Sequence, residues 1–131
     1  MPEHPNAELL RRGYAAYAAG DMETIDGLFA DDIAWHNPGN NPLSGDLHGK
    51  EAVFAFFGKL MELTGGTARL DIHDVIANDE HAVALVLSHV ERGGRAIDSK
   101  AVHVWHVKDG KATEFWSYDE QSAALDDLFN S

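Results

Sequence analysis

Ala19-Gly20-Asp21 closes one helical pattern and opens a second, which runs to Asp31-Asp32; Ile33-Ala34-Trp35-His36-Asn37-Pro38-Gly39 then leaves as a strand ending on a Pro-Gly break. A helix, a short helix and a strand that carries a large aromatic, an imidazole and an amide up to a turn describe an α+β domain with a pocket, because chain ends of this kind line clefts.

Working outward, Leu9, Leu10, Tyr14 and Tyr17 recur at helical spacing between Asn6, a plausible N-cap, and Gly20, a stop. Asp21 is expected to cap the second helix, which carries Ile25, Leu28 and Phe29. After a turn-rich stretch from Asn37 to Gly45, the residues from Gly49 to Met61 read as a third helix with Phe54, Phe56 and Phe57 on it, stopped by Gly65-Gly66. Three N-terminal helices result.

From Arg69 the period changes to two. Strands are expected over Leu70 to Ala77, His81 to Glu91, Ala96 to Val107 and Ala112 to Tyr118, with turns at Asn78-Asp79-Glu80, Gly93-Gly94 and Asp109-Gly110, and a short acidic helical tail from Gln121 to Phe129. The last three strands read as an antiparallel meander. Lys108-Asp109-Gly110-Lys111 admits a two-residue turn or a turn with a glycine bulge, and the bulge is favoured because Asp-Gly-Lys suits a left-handed glycine. That register sets His103 opposite Phe115, Trp105 opposite Thr113 and Ala101 opposite Ser117, so His103, Trp105, Phe115, Ser117 and Asp119 share one face; the plain turn would set His103 against Trp116. Trp116 and Tyr118 then fall on the other face with Val102, Val104 and His106, and an exposed aromatic sheet face invites a partner.

The 131 residues, 44% hydrophobic, suffice for a single domain over 1-131 with one core. With 22 acidic and 10 basic residues the formal charge is −12, a field that repels phosphate backbones and anionic headgroups, so nucleic acid and membranes are not expected partners. Met1-Pro2-Glu3-His4-Pro5-Asn6 lacks the basic and apolar regions of a secretory signal, and the absence of cysteine removes disulfide and thiol chemistry; a cytoplasmic protein is expected.

Several of these segments together resemble a known family: Tyr14-Ala15-Ala16-Tyr17-Ala18-Ala19-Gly20-Asp21, Leu28-Phe29-Ala30-Asp31-Asp32-Ile33-Ala34-Trp35, Ser44-Gly45 with Gly49-Lys50-Glu51-Ala52-Val53, and Asp109-Gly110-Lys111 with Glu114-Phe115-Trp116-Ser117-Tyr118-Asp119. Over nearly its whole length the chain resembles the SnoaL-like branch of the nuclear transport factor 2 superfamily, which also contains ketosteroid isomerase. The resemblance implies a cone in which three N-terminal helices pack on a curved, mainly antiparallel sheet around an apolar pocket, with frequent dimerisation through the outer sheet face. It also implies small-molecule work, but isomerases, cyclases, dehydratases, epoxide hydrolases and binding domains all use this fold. Where ketosteroid isomerase keeps its carboxylate base this chain has Asn37, its oxyanion-hole tyrosine falls at or beside Gly13, and its protonated aspartic acid falls near His103. The aspartate that polyketide cyclases of the family keep at the end of the last strand is matched by Asp119.

Asp119 and His103 are therefore the candidate catalytic residues, Asp119 as general acid/base and His103 as its partner or as a donor to an enolate. Each has a plainer alternative: Asp119 as a helix cap, His103 as a neutral imidazole held by one partner. Tyr14, Trp35, Asn37, Phe57, Trp105, Phe115 and Ser117 are candidate substrate-binding residues. His103 and His106 point to opposite faces of one strand, no ligand spacing supports a metal, and no glycine-rich phosphate loop supports an organic cofactor. Arg92 and Arg95 belong to the Gly93-Gly94 turn, which ranks the arginine-dependent epoxide hydrolase chemistry last. The expected activity is cofactor-independent proton transfer by an isomerase, cyclase or lyase on a small apolar carbonyl or polycyclic compound. The alternative is a non-catalytic ligand-binding or dimerisation domain.

Overall fold

A computed structural model describes residues 3–131; Met1 and Pro2, the first two residues of the polar start, lie outside the described residues. Helix α1 (Pro5–Ala19) begins one residue before the expected cap, because Pro5 needs no N–H partner in a first turn and the His4 side chain accepts from the Asn6 N–H. Asn6 instead donates through Nδ2 to the carbonyls of Asn78 and Asp79, tying the helix start to a strand turn. Gly20 ends α1 at φ 71°, and Asp21 caps α2 (Met22–Leu28) by accepting from Thr24 N–H. Phe29, expected on α2, is already extended: β1 runs from Phe29 to Asn37. A short strand β2 (Gly45–His48) starts at the last residue of the stretch read as turn-rich, and α3 spans Lys50–Thr64, starting one residue later and ending three residues later than expected.

Strands β3 (Arg69–Ala77), β4 (His81–Arg92), β5 (Arg95–Lys108) and β6 (Lys111–Asp119) follow where the alternation places them, and α4 (Ser122–Phe129) closes the chain. The six strands form one curved sheet in the order β2-β1-β6-β5-β4-β3, antiparallel throughout except where β1 runs parallel to β6. Helix α1 packs on β3, β4 and α2, and α3 packs on β1, β2 and β4. Ile33, Val53 and Leu128 are among the most deeply buried side chains and mark where helices meet the concave face.

The β5–β6 register differs from the expected one. Lys108 pairs with Lys111 and Val107 with Ala112, so Asp109 and Gly110 form a two-residue turn, both at positive φ (52° and 76°) as the twist of a tight hairpin requires. The extra residue is Thr113, bulged out of β6, whose hydroxyl donates to the His106 carbonyl at 3.3 Å. His103 consequently opposes Ser117 rather than Phe115, Trp105 opposes Phe115 rather than Thr113, and Ala101 opposes Asp119 rather than Ser117. Because the displacement is two residues, the faces are unchanged: His103, Trp105, Phe115, Ser117 and Asp119 point into the concave side.

Candidate functional site

The concave face, α1, α3 and α4 enclose a cavity of about 220 Å³. All nine candidate residues line it: Tyr14 from α1, Trp35 and Asn37 from β1, Phe57 from α3, His103 and Trp105 from β5, and Phe115, Ser117 and Asp119 from β6. The floor is aromatic. Trp35 and Phe115, paired across β1 and β6, stack with centroids 3.9 Å apart, and Trp105 meets Trp35 edge-on at 5.4 Å. Phe57 packs edge-on to Trp35 at 5.5 Å from above.

Polar groups enter this apolar space in a defined order. Trp105 Nε1–H donates to the Tyr14 hydroxyl at 3.1 Å, and the Tyr14 hydroxyl is 2.6 Å from His103 Nδ1. An indole nitrogen can only donate, so Tyr14 accepts there, while the direction of its contact with His103 Nδ1 is set by the tautomer of the imidazole. With Tyr14 donating to Nδ1, the neutral His103 ring carries its proton on Nε2, which has no hydrogen-bond partner among the described residues. Burial pushes the His103 pKa down to about 4 and raises that of Tyr14, so both stay uncharged at neutral pH. His103 is not paired with Asp119: its hydrogen-bond partner is Tyr14, on a helix 89 residues away in sequence.

On the other side of β6, Trp35 Nε1–H donates to Asn37 Oδ1 at 2.9 Å, which turns the amide so that Nδ2 faces away from the indole. Asn37 Nδ2 is buried without a hydrogen-bond partner. Asp119 stands at the end of β6 with Ser117 Oγ 3.3 Å from its Oδ2, and burial raises its carboxyl pKa, against the lowering effect of the Ser117 and Ser99 hydroxyls. It does not cap α4; Gln121 occupies that position, without a side-chain cap. The cavity thus holds an unpartnered amide N–H, a neutral imidazole and a carboxyl group whose pKa is raised.

Sequence reasoning missed the other end of the cavity, where Leu43, Leu60, Leu125 and Phe129 form the wall. The spacing of Leu125, Leu128 and Phe129 marks an apolar helix face in the tail and is the signal that was available. Helix α4 is held there by Asp126, which accepts from Asn40 N–H and Asn41 Nδ2, and by Arg95 paired with Asp127 at 2.8 Å. Arg92 donates to the carbonyls of Leu63 and Ser131. Both arginines of the Gly93-Gly94 turn thus bind the C-terminal segment.

Residues 10–115 match the SnoaL-like domain, and the chain belongs to that family. The architecture is that of nuclear transport factor 2-like proteins. An uncharacterized protein of Mycobacterium tuberculosis is 27% identical over 130 residues, covering 98% of this chain and 99% of the relative. Among solved structures, Bal32a from a soil-derived mobile gene cassette is 35% identical with a TM-score of 0.91 over 95% of this chain and 96% of that one. TerC, co-crystallized with polyporic acid, is 26% identical with a TM-score of 0.86 over 98% and 100%.

Proposed function

We propose that the cavity binds a small, largely apolar carbonyl or polycyclic compound and that Asp119 transfers a proton on it without a cofactor, as an isomerase, cyclase or lyase does. The observation that carries this reading is the meeting, in one aromatic cavity, of a carboxyl with a raised pKa, a buried amide N–H without a partner and a buried neutral imidazole held by Tyr14. In the proposed step, the Asp119 carboxylate takes a proton from a carbon beside the carbonyl. The C–H electron pair moves into a C=C bond and charge collects on oxygen, where His103 Nε2–H and Asn37 Nδ2–H receive it. Asp119 then returns the proton to the same or another carbon, or to a leaving oxygen. Co-crystallization of TerC with polyporic acid supports an organic ligand for this cavity.

Deuterium incorporation from heavy water into a panel of ketones, enones and polyketide-like aromatics tests the step. Asp119→Asn is expected to slow exchange by about 10²- to 10⁴-fold while ligand affinity changes only a few-fold. Exchange that survives the substitution removes Asp119 from the role. The ligand-binding alternative is favoured if no panel member exchanges yet several bind.

We further infer that the outer sheet face is covered by a second copy of the chain. Among the described residues the exposed large apolar side chains are Ile76, Leu87, Val102 and Tyr118, and the strand register sets all four on that face.

A further inference from the structure

We propose that the one-way hydrogen-bond chain from Trp105 through Tyr14 to His103 fixes proton direction at the cavity wall and makes the cavity select acceptor-bearing ligands over donor-bearing ligands of the same shape. This deepens the reading of the cavity as the ligand site but does not depend on any turnover there.

A free imidazole has two neutral tautomers, and a ring that interconverts between them meets a ligand donor or a ligand acceptor equally well. Here the choice is removed from outside the cavity. Trp105 Nε1 has no lone pair to offer, so Tyr14 accepts from it at 3.1 Å, and in this scheme the one Tyr14 hydrogen goes to Nδ1, 2.6 Å away, the acceptor that the described residues place within its reach. Nε2–H is left as a donor without a protein partner, on a ring that lines the cavity. The same logic operates on the opposite side, where the Trp35 indole fixes the Asn37 amide and leaves Nδ2 as a buried donor without a partner. Two tryptophans, each able only to donate, thus pass donor character to the cavity, Trp105 through Tyr14 and His103 and Trp35 through Asn37.

A ligand carbonyl satisfies such a wall, whereas a ligand N–H placed against it leaves donors facing a donor in a dry space, which is costly. Trp105 and Tyr14 are positioning residues in this scheme: they act on the ligand through His103. Burial reinforces the arrangement by keeping His103 neutral and Tyr14 protonated.

The test uses the full chain labelled with ¹⁵N and three bicyclic ligands of nearly one size: 1-indanone, which only accepts, indole, which only donates, and indene, which does neither. Imidazole ¹⁵N spectra are expected to show His103 Nδ1 unprotonated and Nε2 protonated, unchanged from pH 5.5 to 8. Chemical-shift titrations are expected to give 1-indanone an affinity about 10-fold above indene, the value of one or two buried hydrogen bonds, and indole an affinity below that of 1-indanone. Tyr14→Phe, which frees the tautomer, is expected to reduce the preference for 1-indanone over indole by about 10-fold and to bring Nδ1–H into the spectrum. Indole binding as tightly as 1-indanone to the wild-type protein overturns the proposal, as does a protonated Nδ1, and both readings are made without relying on a variant. The ligands report binding alone, so the two proposals fail separately. Absent exchange with the 1-indanone preference intact removes only the proton transfer, and exchange without that preference removes only the selectivity.

Discussion

The two faces of the sheet treat the same side chain in opposite ways. On the concave face His103 is enclosed by Tyr14, Trp105 and Phe115, meets no charge, and has its pKa pushed down to about 4 by burial. On the convex face His36 lies flat against Trp116 and between two carboxylates, with Asp46 at 2.7 Å from Nδ1 and Glu114 at 2.7 Å from Nε2, and those hydrogen bonds raise its pKa. His89 repeats the second pattern with Glu91 and Asp98. Both faces carry aromatic rings, so aromatic content does not set the difference. It follows from what stands opposite each ring: helices that exclude water on one side, carboxylates in contact with solvent on the other.

The largest test of this contrast is loss of packing. Trp35 is buried and touches Phe115, Trp105, Phe29 and Phe57, so Trp35→Ala is expected to cost about 3–5 kcal/mol in urea unfolding. It also removes the donor that orients Asn37. Tyr118, 61% exposed on the convex face, is the counterpart: Tyr118→Asp is expected to change stability within about 0.5 kcal/mol at low protein concentration while abolishing self-association measured by light scattering. A large concentration-independent loss at Tyr118 would show that the two faces do not divide the work between folding and association.

Titration is the second test. His103 has a folded pKa below its unfolded value, so the unfolded chain binds more protons between about pH 4 and 6.5. Its contribution is fully present above about pH 6.5 and is lost as pH falls, on the order of 3 kcal/mol by pH 4. His36 has the opposite sign: its contribution is fully present below about pH 6.5 and is lost as pH rises through the raised folded pKa. Asp119, with its pKa also raised, favours the folded state less as pH rises through its own titration. The histidine effects are therefore read as differences, from thermal unfolding of wild type, His103→Gln and His36→Asn between pH 4 and 8.5. The wild-type advantage over His103→Gln should shrink toward acid, and that over His36→Asn should shrink toward alkali. Parallel slopes would contradict the assigned environments.

What the sequence made legible follows the range of the interactions involved. Helices and strands are encoded by local periodicity, and a bulge expected in the turn sets His103, Trp105, Phe115, Ser117 and Asp119 on one face; the bulge lies at Thr113 instead, and the two-residue difference in register leaves the faces unchanged. Strand β2 escaped notice because four residues without alternation become a strand only by pairing with β1. The Tyr14–His103 bond, and with it the real partner of the histidine, depends on where α1 crosses the sheet, and no local pattern reports that. The same holds for the parallel contact of β1 with β6, which brings Asn37 to the opposite side of the cavity from His103.

The smallest expected effect concerns the hairpin that sets the register beneath the site. Asp109 and Gly110 both adopt positive φ, and the Gly110 position has open space around it, so a methyl group there meets no clash and only the backbone conformation resists it. Gly110→Ala is expected to cost about 1 kcal/mol in urea unfolding, with the 1-indanone affinity unchanged. Affinity stays the same because the register inward of Thr113 is fixed by the pairs His106–Glu114, Trp105–Phe115 and His103–Ser117 and by the tilted contact of the Trp105 and Phe115 rings, not by the turn. If Gly110→Ala instead weakens ligand binding in proportion to stability, the turn and not the aromatic floor holds β6 in place. The concave face would then not hold its own register, and its contrast with the convex face would fail at the hairpin.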